Sequence, residues 1–250
     1  MSPPANQHVV PGIVMTNLDG PTERNASAST RPREEATPPN GIVYVVDDDP
    51  AICRLVASIL GTYGIQVEQC PSGTAFLEAL VPDQRGCLLL DVDMPGLSGP
   101  AIQEILAQRG IELPVVFLTG VADVDTSVAV MKRGAFDLIQ KPFQKDRLVE
   151  VITQALSLDA KRASIRQRRL AARQRYETLN ERERQVLGMV VTGYANKQMA
   201  RKLDLSEKTI EVHRARTMIK MGADSLAELV RLSMDAGVEM PNIGPSDAAE

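Results

Sequence analysis

The chain has 250 residues, 44% of them hydrophobic but only 3% aromatic, with a formal net charge of −4. That length accommodates two small domains with real cores. It holds no apolar run long enough to span a bilayer and no charged-then-apolar leader pattern, so a membrane protein and a secreted chain are not expected. The three cysteines, Cys53, Cys70 and Cys87, form no CxxC pair and leave one thiol over in any disulfide scheme, which predicts reduced, buried thiols in a cytoplasmic protein. The charge is unevenly spread. Residues 41–158 carry 15 acids and 8 bases, whereas residues 159–222 carry 16 bases and 7 acids. An acidic domain before a basic one suggests a cation or phosphate switch joined to a nucleic-acid binder.

Residues 1–40 are rich in Pro, Ser, Thr, Asn and Ala without periodicity, a composition that predicts disorder; the short apolar piece Val9 to Met15 receives no function. From Gly41 the pattern becomes strands alternating with helices. Ile42 to Val46 reads as an apolar strand ending in Asp47-Asp48-Asp49, and Pro50 opens a helix from Ala51 to Tyr63 at its first turn. A strand from Ile65 to Glu68 and a helix from Ser72 to Leu80 follow. Next come a strand from Cys87 to Asp91 and a helix from Ser98 to Gln108. A fourth strand, Pro114 to Thr119, leads to a helix from Val124 to Arg133. A fifth, Asp137 to Gln140, runs through Lys141-Pro142-Phe143 into a helix from Lys145 to Leu158. Five such pairs predict an α/β fold with a doubly wound, five-stranded parallel sheet over residues 41–158.

Residues 159–176 hold seven Lys or Arg against one Asp. Leu158, Ile165, Ala172 and Leu179 recur every seven residues, but Arg162 and Arg169 interrupt the seam, so a solvated helical linker is expected rather than a coiled coil. Residues 177–238 then read as a small all-α domain. Asn180 is placed to cap a helix with Glu183 three residues on. Helices are expected over Glu181 to Val191, Asn196 to Leu203, Glu207 to Met221 and Leu226 to Ala236. Asp204-Leu205-Ser206 forms a tight turn, the layout of a helix-turn-helix. Residues 239–250 are expected to be a disordered tail.

In an open α/β sheet, chemistry sits beyond the carboxyl ends of the strands. Asp47, Asp48 and Asp49 after the first strand, Asp91 after the third, Thr119 after the fourth and Lys141 after the fifth all fall at that edge. Singly they read as helix caps, solvated loops and a surface lysine. Together, clustered carboxylates suit Mg²⁺, which neutralises charge on an incoming phosphoryl group, while a hydroxyl and an ammonium hold its remaining oxygens.

The stretches Val46 to Pro50, Leu90 to Gly99, Phe117 to Gly120, Gly134 to Asp137 and Lys141-Pro142-Phe143 resemble a response-regulator receiver domain in order and spacing. The resemblance implies Asp91 as phospho-acceptor and a histidine kinase as donor. It puts Asp48 and Asp91 on Mg²⁺ directly, Asp47 through water and the main-chain oxygen of Asp93 as third ligand, with Thr119 and Lys141 on the phosphoryl group. Leu138 stands where that family's switch aromatic is expected, and Phe136 is read as lying two residues earlier on the same side of the strand. A second class weighed is the Asp-x-Asp of haloacid-dehalogenase-type phosphatases, with Asp91 as nucleophile; there, however, the Asp-x-Asp strand comes first and the metal-binding acids last.

In the helix Glu207 to Met221, Ile210, Met218 and Met221 share one face and the bases lie on others. Such a helix places Lys and Arg on phosphates and its early residues at base edges; a solvated basic face is the plainer reading. The segment from Leu179 to Met221 resembles the LuxR-type helix-turn-helix. With the acidic domain in front, the chain resembles the FixJ/NarL family of transcriptional regulators, its wording nearest the FixJ branch. The resemblance implies DNA contacts from Asn196, Lys197, Lys208, Thr209, Glu211, Val212, His213, Arg214 and Arg216, although His213 reads nearly as well as a structural histidine. It also implies a phosphorylation-controlled regulator, an activator in which phosphorylation relieves receiver inhibition of the DNA-binding domain or promotes dimerisation, through the fourth helix and fifth strand, and which meets RNA polymerase, with no turnover substrate. The alternative is a regulator whose receiver serves only to oligomerise. A fragment from Tyr176 to Gly237 is expected to bind DNA by itself.

Overall fold

The computed structural model describes residues 41–81, 83–120 and 124–238. The expectations for residues 1–40 and 239–250 lie outside the described residues. Five strands, β1 (Ile42–Val46), β2 (Gln66–Cys70), β3 (Gly86–Asp91), β4 (Val115–Thr119) and β5 (Asp137–Gln140), pair in parallel in the order β2-β1-β3-β4-β5. β3 reads Gly-Cys-Leu-Leu-Leu-Asp and β4 reads Val-Val-Phe-Leu-Thr, and every residue of both is buried. Near-continuous apolar runs of this kind mark strands covered on both faces. One face packs under α1 (Pro50–Gly61) and α5 (Lys145–Glu177), with Val43, Val45, Leu89, Val116 and Leu118 meeting Val56, Leu60, Val151 and Leu156. The other packs under α2 (Gly73–Ala79), α3 (Gly99–Gln108) and α4 (Val124–Lys132), where Val46, Leu88, Leu90 and Phe117 meet Phe76, Ile102, Leu106 and Val130. The order reverses between β1 and β3, so the carboxyl ends of those strands frame the crevice in which such sheets carry their sites.

α5 runs unbroken for 33 residues, about 50 Å; no stop falls at Leu158. Its second half is helical and mostly exposed, but it is anchored at particular points. The Asp159 carboxylate, 2% exposed, accepts from Arg85 Nε at 2.7 Å and from the Gly86 amide at 3.1 Å, at the start of β3. Further on, Ala172 is buried in the C-terminal core with Leu179, Val186, Leu187, Met199, Ile210 and Leu229. Thirteen residues at about 100° each put Ala172 on the far side of the helix from Asp159. One helix thus serves two domains from opposite faces.

The C-terminal domain comprises α6 (Glu181–Val191), α7 (Asn196–Leu203), α8 (Glu207–Met221) and α9 (Leu226–Asp235). Its starts follow from side-chain caps. Asn180 and Glu183 form the expected capping box, Ser206 accepts from the Thr209 amide to open α8, and Ser225 accepts from the Glu228 amide to open α9. Asp204, left-handed at φ 53°, ends α7 and turns the chain into α8. Among the described residues no helix is long and apolar enough to cross a membrane.

Candidate acidic site and nucleic-acid interface

β1 delivers Asp47 and β3 delivers Asp91 to neighbouring positions at the carboxyl edge, and both are nearly inaccessible, at 1% and 5% exposure. Lys141, just past β5, places Nζ 2.6 Å from Asp47 Oδ2 and 2.7 Å from Asp91 Oδ1. The remaining oxygens are taken by backbone: Asp49 N donates to Asp47 Oδ1 at 2.9 Å and Asp93 N to Asp91 Oδ2 at 3.0 Å. Burial pushes the Asp91 carboxyl above the usual range, and the Lys141 ammonium offsets only part of that. Burial works against the charge on Lys141 itself, yet its two carboxylate partners outweigh it and hold the ammonium firmly protonated.

The loop after Asp91 is folded tightly back. Gly99 N donates to the Val92 carbonyl, and a methyl group on Gly99 would stand 2.3 Å from the Asp91 carbonyl oxygen. Only glycine fits there. Thr119 is buried at the end of β4, and its carbonyl accepts from Lys141 N at 2.7 Å. Asp48 and Asp93 are exposed at the rim, and Asp49 caps α1 through the Ala51 amide. Among the described residues no group of three or more His, Cys, Asp or Glu side chains is gathered to hold a metal. The donors at this edge are oxygens alone, a set that fits Mg²⁺, which accepts one or two carboxylates and keeps several waters.

The two candidate switch positions do not share a face. Leu138, on β5, packs toward the α2–α4 side, whereas Phe136 packs toward α1 and α5. The reading of Phe136 as a same-side neighbour is therefore corrected: it precedes the first residue of β5, and side chains alternate reliably only within the paired strand.

On α8, Lys208, Glu211, Val212 and Arg216 are exposed, as is Lys197 on α7. The face expected to meet DNA is open in this conformation. Asn196 and Arg214 have met each other instead, Arg214 Nη1 donating to Asn196 Oδ1 at 2.6 Å and tying the start of α7 to α8. Thr209 is half-buried, with Oγ1 2.8 Å from Ser206 Oγ in the cap of α8. His213 is half-buried too, and its Nδ1 is buried without a partner. Sequence reasoning missed the brace beneath this helix. Buried Glu183 accepts from Lys220 Nζ at 2.7 Å as well as from the Asn180 amide. Burial alone would raise its carboxyl, but Lys220 and the cap hold it below the ordinary glutamate range.

The fold and both sites define a receiver domain joined to a LuxR-type DNA-binding domain, and the chain belongs to the response-regulator family that combines them. The response regulator receiver domain matches residues 43–153, and the luxR family of bacterial regulatory proteins matches residues 177–233. The transcriptional regulatory protein FixJ of Azorhizobium caulinodans is 42% identical over 196 residues, 78% of this chain and 93% of that protein. The response regulator protein TodT of Pseudomonas putida is 38% identical over 192 residues, 77% of this chain and 85% of its own. Among solved structures, response regulator StyR aligns with a TM-score of 0.72 at 39% identity, covering 78% of this chain and 98% of that one. Full-length FixJ from B. japonicum aligns with a TM-score of 0.50 at 39% identity, covering 80% and 98%. These two domains together make a two-component transcriptional regulator, for which the receiver implies a histidine kinase and the C-terminal domain implies DNA. The phosphatase alternative falls with the family assignment.

Proposed function

We propose that the chain is a cytoplasmic transcriptional activator switched by phosphorylation of Asp91, with a histidine kinase as donor. The observation that carries this reading is the triad of Asp47, Asp91 and Lys141 at the crevice between β1 and β3. An Asp91 carboxylate oxygen attacks the phosphorus of a phosphohistidine; the P–N bond breaks with its electron pair left on that ring nitrogen, and the imidazole leaves neutral, keeping the proton already on its other nitrogen. Lys141, already on Asp91 Oδ1, moves to a phosphoryl oxygen as the new acyl phosphate takes its negative charge outward. Thr119 supplies a hydroxyl to another. Asp47, Asp48, Asp91 and the Asp93 main-chain oxygen would hold Mg²⁺, which when bound supplies charge neutralisation at the phosphoryl group.

The exposed reading face of α8 supports control by assembly rather than by uncovering the helix. Val128 and Met131 on α4, 45% and 43% exposed, offer apolar surface for a homodimer, and two copies fit a partly symmetric DNA site from which RNA polymerase is engaged. Lys208, Arg216 and Lys197 are assigned to phosphates and groove, and Glu211 and Val212 to base edges. Asn196 and Arg214 position the two helices. Leu138, lacking a ring, leaves the coupling of Thr119 to α4 to aliphatic packing.

Labelling with acetyl phosphate and Mg²⁺ tests this. A single stoichiometric phosphoryl group on the peptide bearing Asp91 is expected. Sustained phosphate release over many turnovers, or a label elsewhere, would sink the reading.

A further inference from the structure

At the end of the sheet opposite Asp91, two cavities of about 420 Å³ and about 210 Å³ adjoin, sharing Ile111 and Glu112 in their walls. The larger lies between the loops before β3 and β4 and the second half of α5. Arg109, Arg166 and Arg169 line it. Arg133 and Arg162 line the smaller. Five guanidiniums face two carboxylates, Asp83 and Glu112. Glu112 is already shared, its carboxylate accepting from Arg166 at 3.1 Å and its carbonyl from Arg162 at 3.2 Å. Arg133 and Arg169 make no side-chain hydrogen bond or ion pair among the described residues. Crowded like charges of this kind raise the local concentration of anions, and the planar fork of arginine matches phosphate oxygens two at a time.

The smaller cavity differs in character. Leu106, Leu113 and Val115 give it apolar walls, and Gln103 lines it while only 6% exposed. The Gln103 amide nitrogen donates to the Val130 carbonyl at 3.3 Å, which fixes the orientation of the amide because that carbonyl only accepts. Gln103 Oε1 is left buried and without a donor. A buried acceptor with nothing to accept is costly, and a ligand carrying an N–H would relieve it.

We propose that this groove binds a nucleotide. Its phosphates lie over Arg109, Arg166 and Arg169, and its base occupies the smaller cavity, where a shift of the wall that uncovers the now inaccessible Gln103 Oε1 lets that atom accept from an exocyclic amine. The combined space falls in the range of small-molecule sites, roughly 300–1,000 Å³. The groove is walled on one side by receiver loops and on the other by the part of α5 that continues to the DNA-binding domain. A nucleotide there holds α5 to the receiver base beside the Asp159–Arg85 pair, adding a second input to the phosphorylation switch.

Titration calorimetry of the full chain at low salt, in a chelator, tests the assignment with ATP, inosine triphosphate (the same base skeleton with the amine replaced by a carbonyl) and pyrophosphate as probes. ATP is expected to bind about tenfold more tightly than inosine triphosphate, one unmet buried hydrogen bond. Gln103→Leu should erase that difference, and the Arg166→Ala, Arg169→Ala double variant should weaken ATP by about tenfold or more. All variants should keep wild-type acetyl-phosphate labelling, which shows that they are folded. No ATP binding at millimolar concentration overturns the proposal. So do pyrophosphate binding as tightly as ATP, and arginine variants that weaken DNA binding while leaving ATP binding unchanged.

Discussion

Lys141→Met is expected to destabilise the receiver by about 3–5 kcal/mol at neutral pH, the cost of leaving buried charges without their partner. Lys141 is 21% exposed, and it is the cation shared by Asp47 and Asp91, which are 0% and 7% exposed at the side chain. Its removal sets two buried carboxylates side by side. Asp91 is already pushed upward by burial, with Lys141 pulling the other way, so the variant drives it higher still. The sign follows. A carboxyl whose folded pKa lies above its unfolded one favours folding below the unfolded value and loses that contribution as pH rises through the folded value. The variant should therefore regain stability on acidification from about pH 7 to about pH 5. Urea titrations followed by circular dichroism at both pH values measure this; equal stability of variant and wild type at neutral pH would show that the triad is not coupled as drawn.

Gly86→Ala should have a comparable or larger effect, about 4 kcal/mol or more. Gly86 sits at φ +127°, a conformation that side-chain-bearing residues avoid, and an added Cβ would fall 1.9 Å from the Ile42 carbonyl oxygen. That oxygen is backbone in the adjacent strand, paired in register with Gly86 itself. The same residue's amide is one of the two donors to Asp159, so relief of the clash by shifting β3 would undo the anchor of α5 as well. Hydrogen exchange on the full chain is expected to show lost protection in β1, β3 and the middle of α5, with α6 to α8 retained. Wild-type protection in β3 would contradict the strain assigned to this position.

The acidic edge was legible because strand ends announce themselves: an apolar run stopping at Asp47 or Asp91 places an acid at the rim of a parallel sheet. The Asn180–Glu183 cap of α6 was legible for a similar local reason, since the pair satisfies amides within one turn; Ser206 was read only as part of a turn, and its cap on α8 emerged from the structure. What escaped depends on distant partners. Asp159, the lone acid in a basic run, finds Arg85 some seventy residues earlier, and no local pattern reports that. The continuity of α5 was readable in principle, because residues 145–177 contain neither Gly nor Pro; the change from apolar to basic suggested a break that charge alone does not cause. Phe136 was misplaced because alternation was extended beyond the strand. The depth of the C-terminal core was also underestimated. Ala172 belongs to it, and Arg173 and Arg175 donate to the Ala236 and Met221 carbonyls, so a DNA-binding fragment should begin near Arg168 rather than at Tyr176.

The measurement closest to the central claim joins the two ends of the molecule: DNA affinity of the full chain before and after acetyl-phosphate treatment with Mg²⁺, for wild type and Asp91→Asn. Wild type should take one phosphoryl group and bind its DNA site more tightly, by about tenfold or more, as two copies assemble, whereas Asp91→Asn should take no label and show no gain. Asp91→Asn labelled like wild type, or gaining affinity without a label, would contradict the account.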